Sequence, residues 1–186
     1  MPGLAAAVSP VDPQFPFADG HFPLSSTFLA YNRGYNVGVG GAVVRNGKLL
    51  MVRRASSYGR GNWQIPGGFI ERDETLEQAV VREVEEEAGV KSSVRGVLGL
   101  RSRTDDYNST YVVFLLDYES GEPTPDGVET DRARWIGLGD LAGLDKLPPI
   151  NARVAQLALA TDPPVLLPAE MRGPDGTPYQ LFAGLD

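Results

Sequence analysis

Hydrophobic and polar positions follow no period over residues 1–34, where prolines break the chain at short intervals. That stretch predicts an extended N-terminal arm. From residue 35 the pattern changes. YNVGVGGAVV (35–44) predicts a strand whose glycines permit close backbone approach. Asn46-Gly47 is a hairpin signal, and KLLMVRR (48–54) predicts the returning strand. A loop over 55–68 leads to a helix. Strands are then predicted at 94–103 and 109–118, a turn-rich loop at 119–131, and a short strand at 132–136. Ile150, Val154 and Leu157 repeat at helical spacing and predict a second helix over 150–160. Residues 161–186 predict a C-terminal tail, or a small hairpin around Pro174-Asp175-Gly176. The expected organisation is therefore an arm (1–34), one domain (35–160) and the tail. Strands interleaved with two helices predict an α/β fold with a mixed sheet.

The helix between residues 75 and 89 carries an unusual pattern. Thr75 with Gln78 forms a capping box, and Gly89 stands where a helix ends. With Leu76 at zero and about 100° per residue, Val80, Val84 and Ala88 fall at about 40°, 80° and 120°, a stripe facing the core. Glu87 and Glu83 fall at about 20° and 340°, on the same side, while Glu85 points away at about 180°. A solvated acidic face accounts for Glu77 and Glu85. It does not account for Glu83 and Glu87, like charges one turn apart that repel by about 0.2–0.5 kcal/mol even on an exposed helix. The cluster also lies toward the C-terminal end, where the macrodipole favours cations. Arg82, four residues before Glu86, offsets part of this, and a bound divalent cation would offset more.

Composition narrows the chemistry further. The 186 residues contain no Cys and a single His, His21 in the arm. Disulfides, thiolate catalysis and the usual structural zinc sites are excluded, and a Ser-His-Asp triad would depend on His21 alone, which reads as an ordinary surface or interface residue. Metal chemistry must come from carboxylates and carbonyls, which favour hard cations. A net charge of −7 argues against binding a nucleic-acid duplex. No apolar run is long enough to span a bilayer, and the N-terminus lacks a basic signal-peptide region, so no membrane association and a cytoplasmic location are expected.

The wider spacing is specific. Gly68, five residues, Glu74, seven residues, then Arg82-Glu83-Val84-Glu85-Glu86-Glu87-Ala88-Gly89-Val90 resembles the Nudix box, G-x5-E-x7-R-E-U-x-E-E-x-G-U, without a mismatch. At a residue usage of roughly one in fifteen, its fixed positions coincide by chance on the order of once in 10⁸ starts. The resemblance runs from residue 35 to about residue 144 and takes in Pro66-Gly67 and RWIGLGDL (134–141). It implies a Nudix α/β/α sandwich with a mixed β-sheet, the box forming a loop–helix–loop. It also implies a pyrophosphohydrolase using Mg²⁺ or Mn²⁺ on a small nucleotide-type substrate. ADP-ribose or an NDP-sugar is favoured, because the chain is longer than the compact triphosphate cleaners. The alternatives are a nucleoside triphosphate or dinucleoside polyphosphate hydrolase, and a nucleotide sensor without catalysis, against which the complete box weighs.

Carried over residue by residue, the resemblance implies Glu86 and Glu87 as principal metal ligands, Glu83 as a third ligand or the general base, and the Gly67 carbonyl as a further ligand. Arg82 would orient Glu83, Glu74 would support the site, and Gly68 would permit the loop turn. The base is Glu83 or else Glu129 or Asp131, in the loop before Trp135. Outside the box, Arg53 or Arg54 is placed to reach a phosphate oxygen. Tyr58 and Tyr107 are candidates to stack on a base, and Trp63 reads as a packing residue. The arm could exchange across a two-fold homodimer.

Overall fold

The computed structural model describes residues 35–56, 59–104 and 108–184; the arm with His21, and also Tyr58 and Tyr107, lie outside the described residues. β1 (Tyr35–Arg45) and β2 (Lys48–Arg54) turn through Asn46 and Gly47, both at positive φ (50° and 69°), the twist that suits a two-residue hairpin. The two strands pair only beside the turn, at Val44↔Leu49 and Arg45↔Lys48. They then splay apart, and the segment after β2 fills the gap. Its β3 (Trp63–Gln64) pairs with β2, while the Pro66 and Gly68 carbonyls accept from Gly41 and Val39 of β1 at 2.9 and 2.8 Å.

On its other edge β1 runs parallel to β5 (Asn108–Ser120), from Tyr35↔Asn108 to Val44↔Asp117. β4 (Lys91–Thr104) lies antiparallel to β5 at the far edge, and β6 (Thr130–Ile136) lies antiparallel to β2. The result is a six-stranded mixed sheet. α1 (Leu76–Ala88) covers one face and α2 (Pro149–Ala158) the other. Val39, Val43, Leu50, Val52, Phe114 and Leu116 face α1; Ala42, Leu49, Met51, Val113 and Leu115 face α2. Because the central strands are buried on both faces, LLMV and VVFLL read as continuous apolar runs. Each fully buried side chain of this size contributes about 1.5–3 kcal/mol of burial free energy.

β7 (Leu167–Arg172) and β8 (Pro178–Ala183) form a hairpin. Leu166 exchanges two 2.9 Å hydrogen bonds with Val97 of the β4 edge, and Phe182 packs edge-on against Phe114 at 5.6 Å. No described helix is long and apolar enough to cross a membrane. Of the boundaries that differ from expectation, one bears on the site. β6 starts at Thr130, so Asp131 is a strand residue, placed at a register shift opposite Arg53 and Arg54.

Candidate active site

α1 is fixed at both ends by local chemistry. The Thr75 hydroxyl accepts from Gln78 N–H and the Gln78 side chain accepts from Thr75 N–H, closing the capping box. At the other end Gly89 adopts the left-handed conformation (φ 66°) and donates to the Glu85 carbonyl. Between these ends Ala79, Val80, Val84 and Ala88 are buried, and so is Glu87, only 4% exposed. Glu83 lies one turn earlier on the same side, and the two carboxylates face the splayed segment that carries Pro66, Gly67 and Gly68.

That segment touches them directly. Gly67 N–H donates to Glu87 Oε2 at 3.0 Å. A Cβ on Gly68 would lie 2.5–2.7 Å from the Glu83 carboxylate, so only glycine admits this approach. Arg82 is the counter-charge. It grips Glu74 in a bidentate pair at 2.7 and 3.1 Å and reaches Glu83 at 2.9 Å, Glu86 at 3.1 Å and the Phe69 carbonyl at 3.3 Å. That pairing holds Glu74 below the usual carboxylate range.

The other two carboxylates move the opposite way. Burial pushes Glu83 up to about 7, opposed by Arg82 and reinforced by Glu86 and Glu129. Burial also pushes Glu87 up to about 8, opposed by Gly67 N–H and by Arg54, and reinforced by Glu83 and Glu129. Arg54 and Glu129 are thus within electrostatic reach of the buried pair. Glu129 is exposed, on a loop fastened by Asp126, which accepts from the backbone N–H groups of Val128, Glu129 and Thr130. Thr130 ties this loop to the helix end by donating to the Glu87 carbonyl at 2.8 Å.

Asp131 is placed differently. It is held in a bidentate pair with Arg53, both bonds 2.7 Å, which occupies Arg53 as well. Trp63 is 2% exposed, in the core on the α2 face. Sequence reasoning missed Tyr111. Its ring covers Gly38 and Gly40, its hydroxyl lies where a Cβ on Gly67 would be, and burial beside Glu87 raises its phenol. The signal available for it was the pair of glycines on β1, whose missing side chains leave a slot for a ring.

Among the described residues no three acidic or His side chains are drawn together closely enough to ligate an ion as they stand. Arg82 holds Glu83 and Glu86, and Gly67 N–H holds Glu87. The donor set nevertheless fits a hard divalent cation. It is all oxygen, and its two most buried members resist ionisation even with Arg82 and Arg54 nearby, a cost that a bound cation would lower further.

An ADP-ribose pyrophosphatase of Methanocaldococcus jannaschii is 36% identical over 111 residues, covering 58% of this chain and 65% of that protein. The human nucleoside diphosphate-linked moiety X motif 6 is 34% identical over 132 residues, 67% of this chain and 42% of that protein. The chain therefore spans less than two thirds of the length of either relative. The crystal structure of a MutT NUDIX hydrolase from Burkholderia pseudomallei superposes with a TM-score of 0.59 at 29% identity, over 66% of this chain and 96% of that one. The model of the NUDIX domain matches residues 34–158, most of the chain and all of the sheet and both helices described above, and the chain belongs to that family.

Proposed function

We propose that this protein hydrolyses the pyrophosphate bond of a nucleoside diphosphate linked to another moiety, with ADP-ribose or an NDP-sugar as substrate and Mg²⁺ or Mn²⁺ as cofactor. The observation that carries this reading is the pair Glu83 and Glu87, half-buried and buried against the Gly67–Gly68 backbone at a cost in charge that Arg82 and the Gly67 N–H offset only in part. The ligands would be Glu83, Glu86, Glu87 and the Gly67 carbonyl. A cation held there neutralises pyrophosphate oxygens and makes water more acidic. The chain's own residues do the rest. Arg54, whose charge is felt by Glu87, takes a phosphate oxygen. Arg82 keeps Glu83 turned toward the glycine segment. Glu83 or Glu129 accepts the proton as water attacks phosphorus, while the bridging oxygen leaves with the other phosphate. Asp131 is paired with Arg53, which favours Glu83 or Glu129 over it as the base.

The name of the M. jannaschii relative supports ADP-ribose as the first substrate to try. Incubation with ADP-ribose, NDP-sugars, diadenosine polyphosphates and nucleoside triphosphates, with products separated by chromatography, tests the reading. The expected result is cleavage of ADP-ribose to AMP and ribose 5-phosphate with the highest kcat/KM, abolished by EDTA and restored by Mg²⁺ or Mn²⁺. Pyrophosphate release from a triphosphate as the fastest reaction would move the protein to the triphosphate class.

A further inference from the structure

β1 carries two glycines in the middle of the sheet, where side chains would strengthen a strand. Gly38 and Gly40 lie on the face turned toward α2, in register with Tyr111 and Val113 of β5. Tyr111 occupies the slot they leave. A Cβ on Gly38 would lie 3.0 Å from its Cδ2, and one on Gly40 would lie 2.7 Å from its Cε1. A Cβ on Gly67 would lie 2.7 Å from its hydroxyl. The ring therefore crosses β1 from β5 and ends against the inserted segment, at the residue whose N–H holds Glu87. Arg101, paired with Tyr111 from β4, lays its guanidinium over the ring at 5.0 Å from the centre and donates to Ser109 Oγ at 3.1 Å.

A residue that only filled the core would not need this reach. An aliphatic side chain at 111, with alanine at 38 and 40, would occupy β5 and β1 without touching the segment. The tyrosine instead takes the place of two β1 side chains and gains contact with Gly67. Pro66 and Gly68 are tied to β1 by their carbonyls, and Gly67 between them is backed by the Tyr111 hydroxyl. The phenol is raised by burial and then by Glu87 and Glu83, so both carboxylates are within its electrostatic reach.

We propose that Tyr111 is a positioning residue for the cation site: it holds Gly67, and through Gly67 the Glu87 carboxylate, where an ion can use them. The assignment rests on the metal-dependent reading above, and its test needs no turnover. Mn²⁺ alone, titrated into the full chain by calorimetry, is the probe. Groups that orient metal ligands typically contribute about 10–100-fold in affinity. Tyr111→Leu should weaken Mn²⁺ binding by about tenfold, and Tyr111→Phe, which keeps the ring and loses the hydroxyl against Gly67, by about threefold. Val113→Ala, a core residue two positions along on the same face, is the control: it should lower Tm and leave Mn²⁺ affinity unchanged. Where Tyr111→Leu does not fold, Tyr111→Phe decides against the same control. Unaltered Mn²⁺ affinity in the folded Tyr111 variants, or an equal loss in Val113→Ala, overturns the proposal. Failure to cleave ADP-ribose by a protein that binds Mn²⁺ overturns the substrate reading alone. Absence of Mn²⁺ binding by the unaltered chain overturns the metal assignment and this proposal together.

Discussion

Each helix buries one polar side chain, and both reach the same short segment. From α2, Asn151 accepts from Ile65 N–H at 3.4 Å; from α1, Glu87 accepts from Gly67 N–H at 3.0 Å. Both residues are at most 9% exposed. The amide at 151 satisfies a backbone donor without burying a charge. The carboxylate at 87 does the same task and is pushed up to about 8 for it. A Gln at 87 would fasten the segment as well and fold more comfortably. The ionisable group is therefore retained for something other than the fold, whereas Asn151 is accounted for by the fold alone.

Substitution can break this contrast. Glu87→Gln keeps the acceptor for Gly67 and removes the charge, and should lower kcat by about 10³-fold or more while the protein stays folded. Retained turnover at saturating Mg²⁺ would place Glu87 with Asn151 as a structural residue. Next in size is the base. Glu83→Gln should lose about 10²–10⁴-fold in kcat, and more than Glu129→Gln. Parallel rate measurements decide between them, and a larger loss at Glu129 reverses the choice.

The metal-free protein sharpens the comparison through pH. Glu83 and Glu87 hold protons more tightly folded than unfolded, so their contribution is fully present below about pH 4.5 and is lost as pH rises toward 7 and 8. In EDTA the Tm should therefore fall between pH 5 and 8, by an amount on the order of 5 °C. Glu87→Gln should flatten the decline, and Mg²⁺ should reverse it. A Tm that rises over this range would contradict the burial of the pair. The smallest effect belongs to Asn151→Ala. It should cost about 1 kcal/mol in denaturant unfolding, with kcat changed by no more than a few-fold. A loss in kcat as large as that of Glu87→Gln would show that the segment's position, and not the charge, is what matters.

What the sequence revealed followed the range of the interactions. α1 with its capping box and Gly89, and the Asn46-Gly47 turn, depend on residues a few positions apart, and their spacing announces them. The glutamates could be placed on the buried side because helical periodicity is local too. The insertion of residues 62–70 between β1 and β2 could not be read, since it arises from pairings to two strands at once. Asn151 and Tyr111 were hidden for the same reason: each looks like an ordinary member of its own element, and its role exists only across the sheet. The start of β6 was misplaced because 119–131 is rich in turn residues. The Asp126 carboxylate takes up the backbone donors at its end and lets the strand begin at Thr130. The register shift that β4 makes on β5 between Val97 and Gly99 likewise leaves no mark in the alternation of β4 alone.

The splayed hairpin has a consequence for hydrogen exchange. The amides of Val39 and Gly41 are in the middle of the sheet, yet their protection comes from the Gly68 and Pro66 carbonyls, on either side of the glycine that holds Glu87. Their deuteration therefore follows opening of that short segment, a local event less costly than unfolding the domain. Strands β4 and β5, paired over most of their length, open only with the rest. Two backbone protons deep in the fold thus serve as a built-in gauge of how firmly the segment over Glu87 is closed.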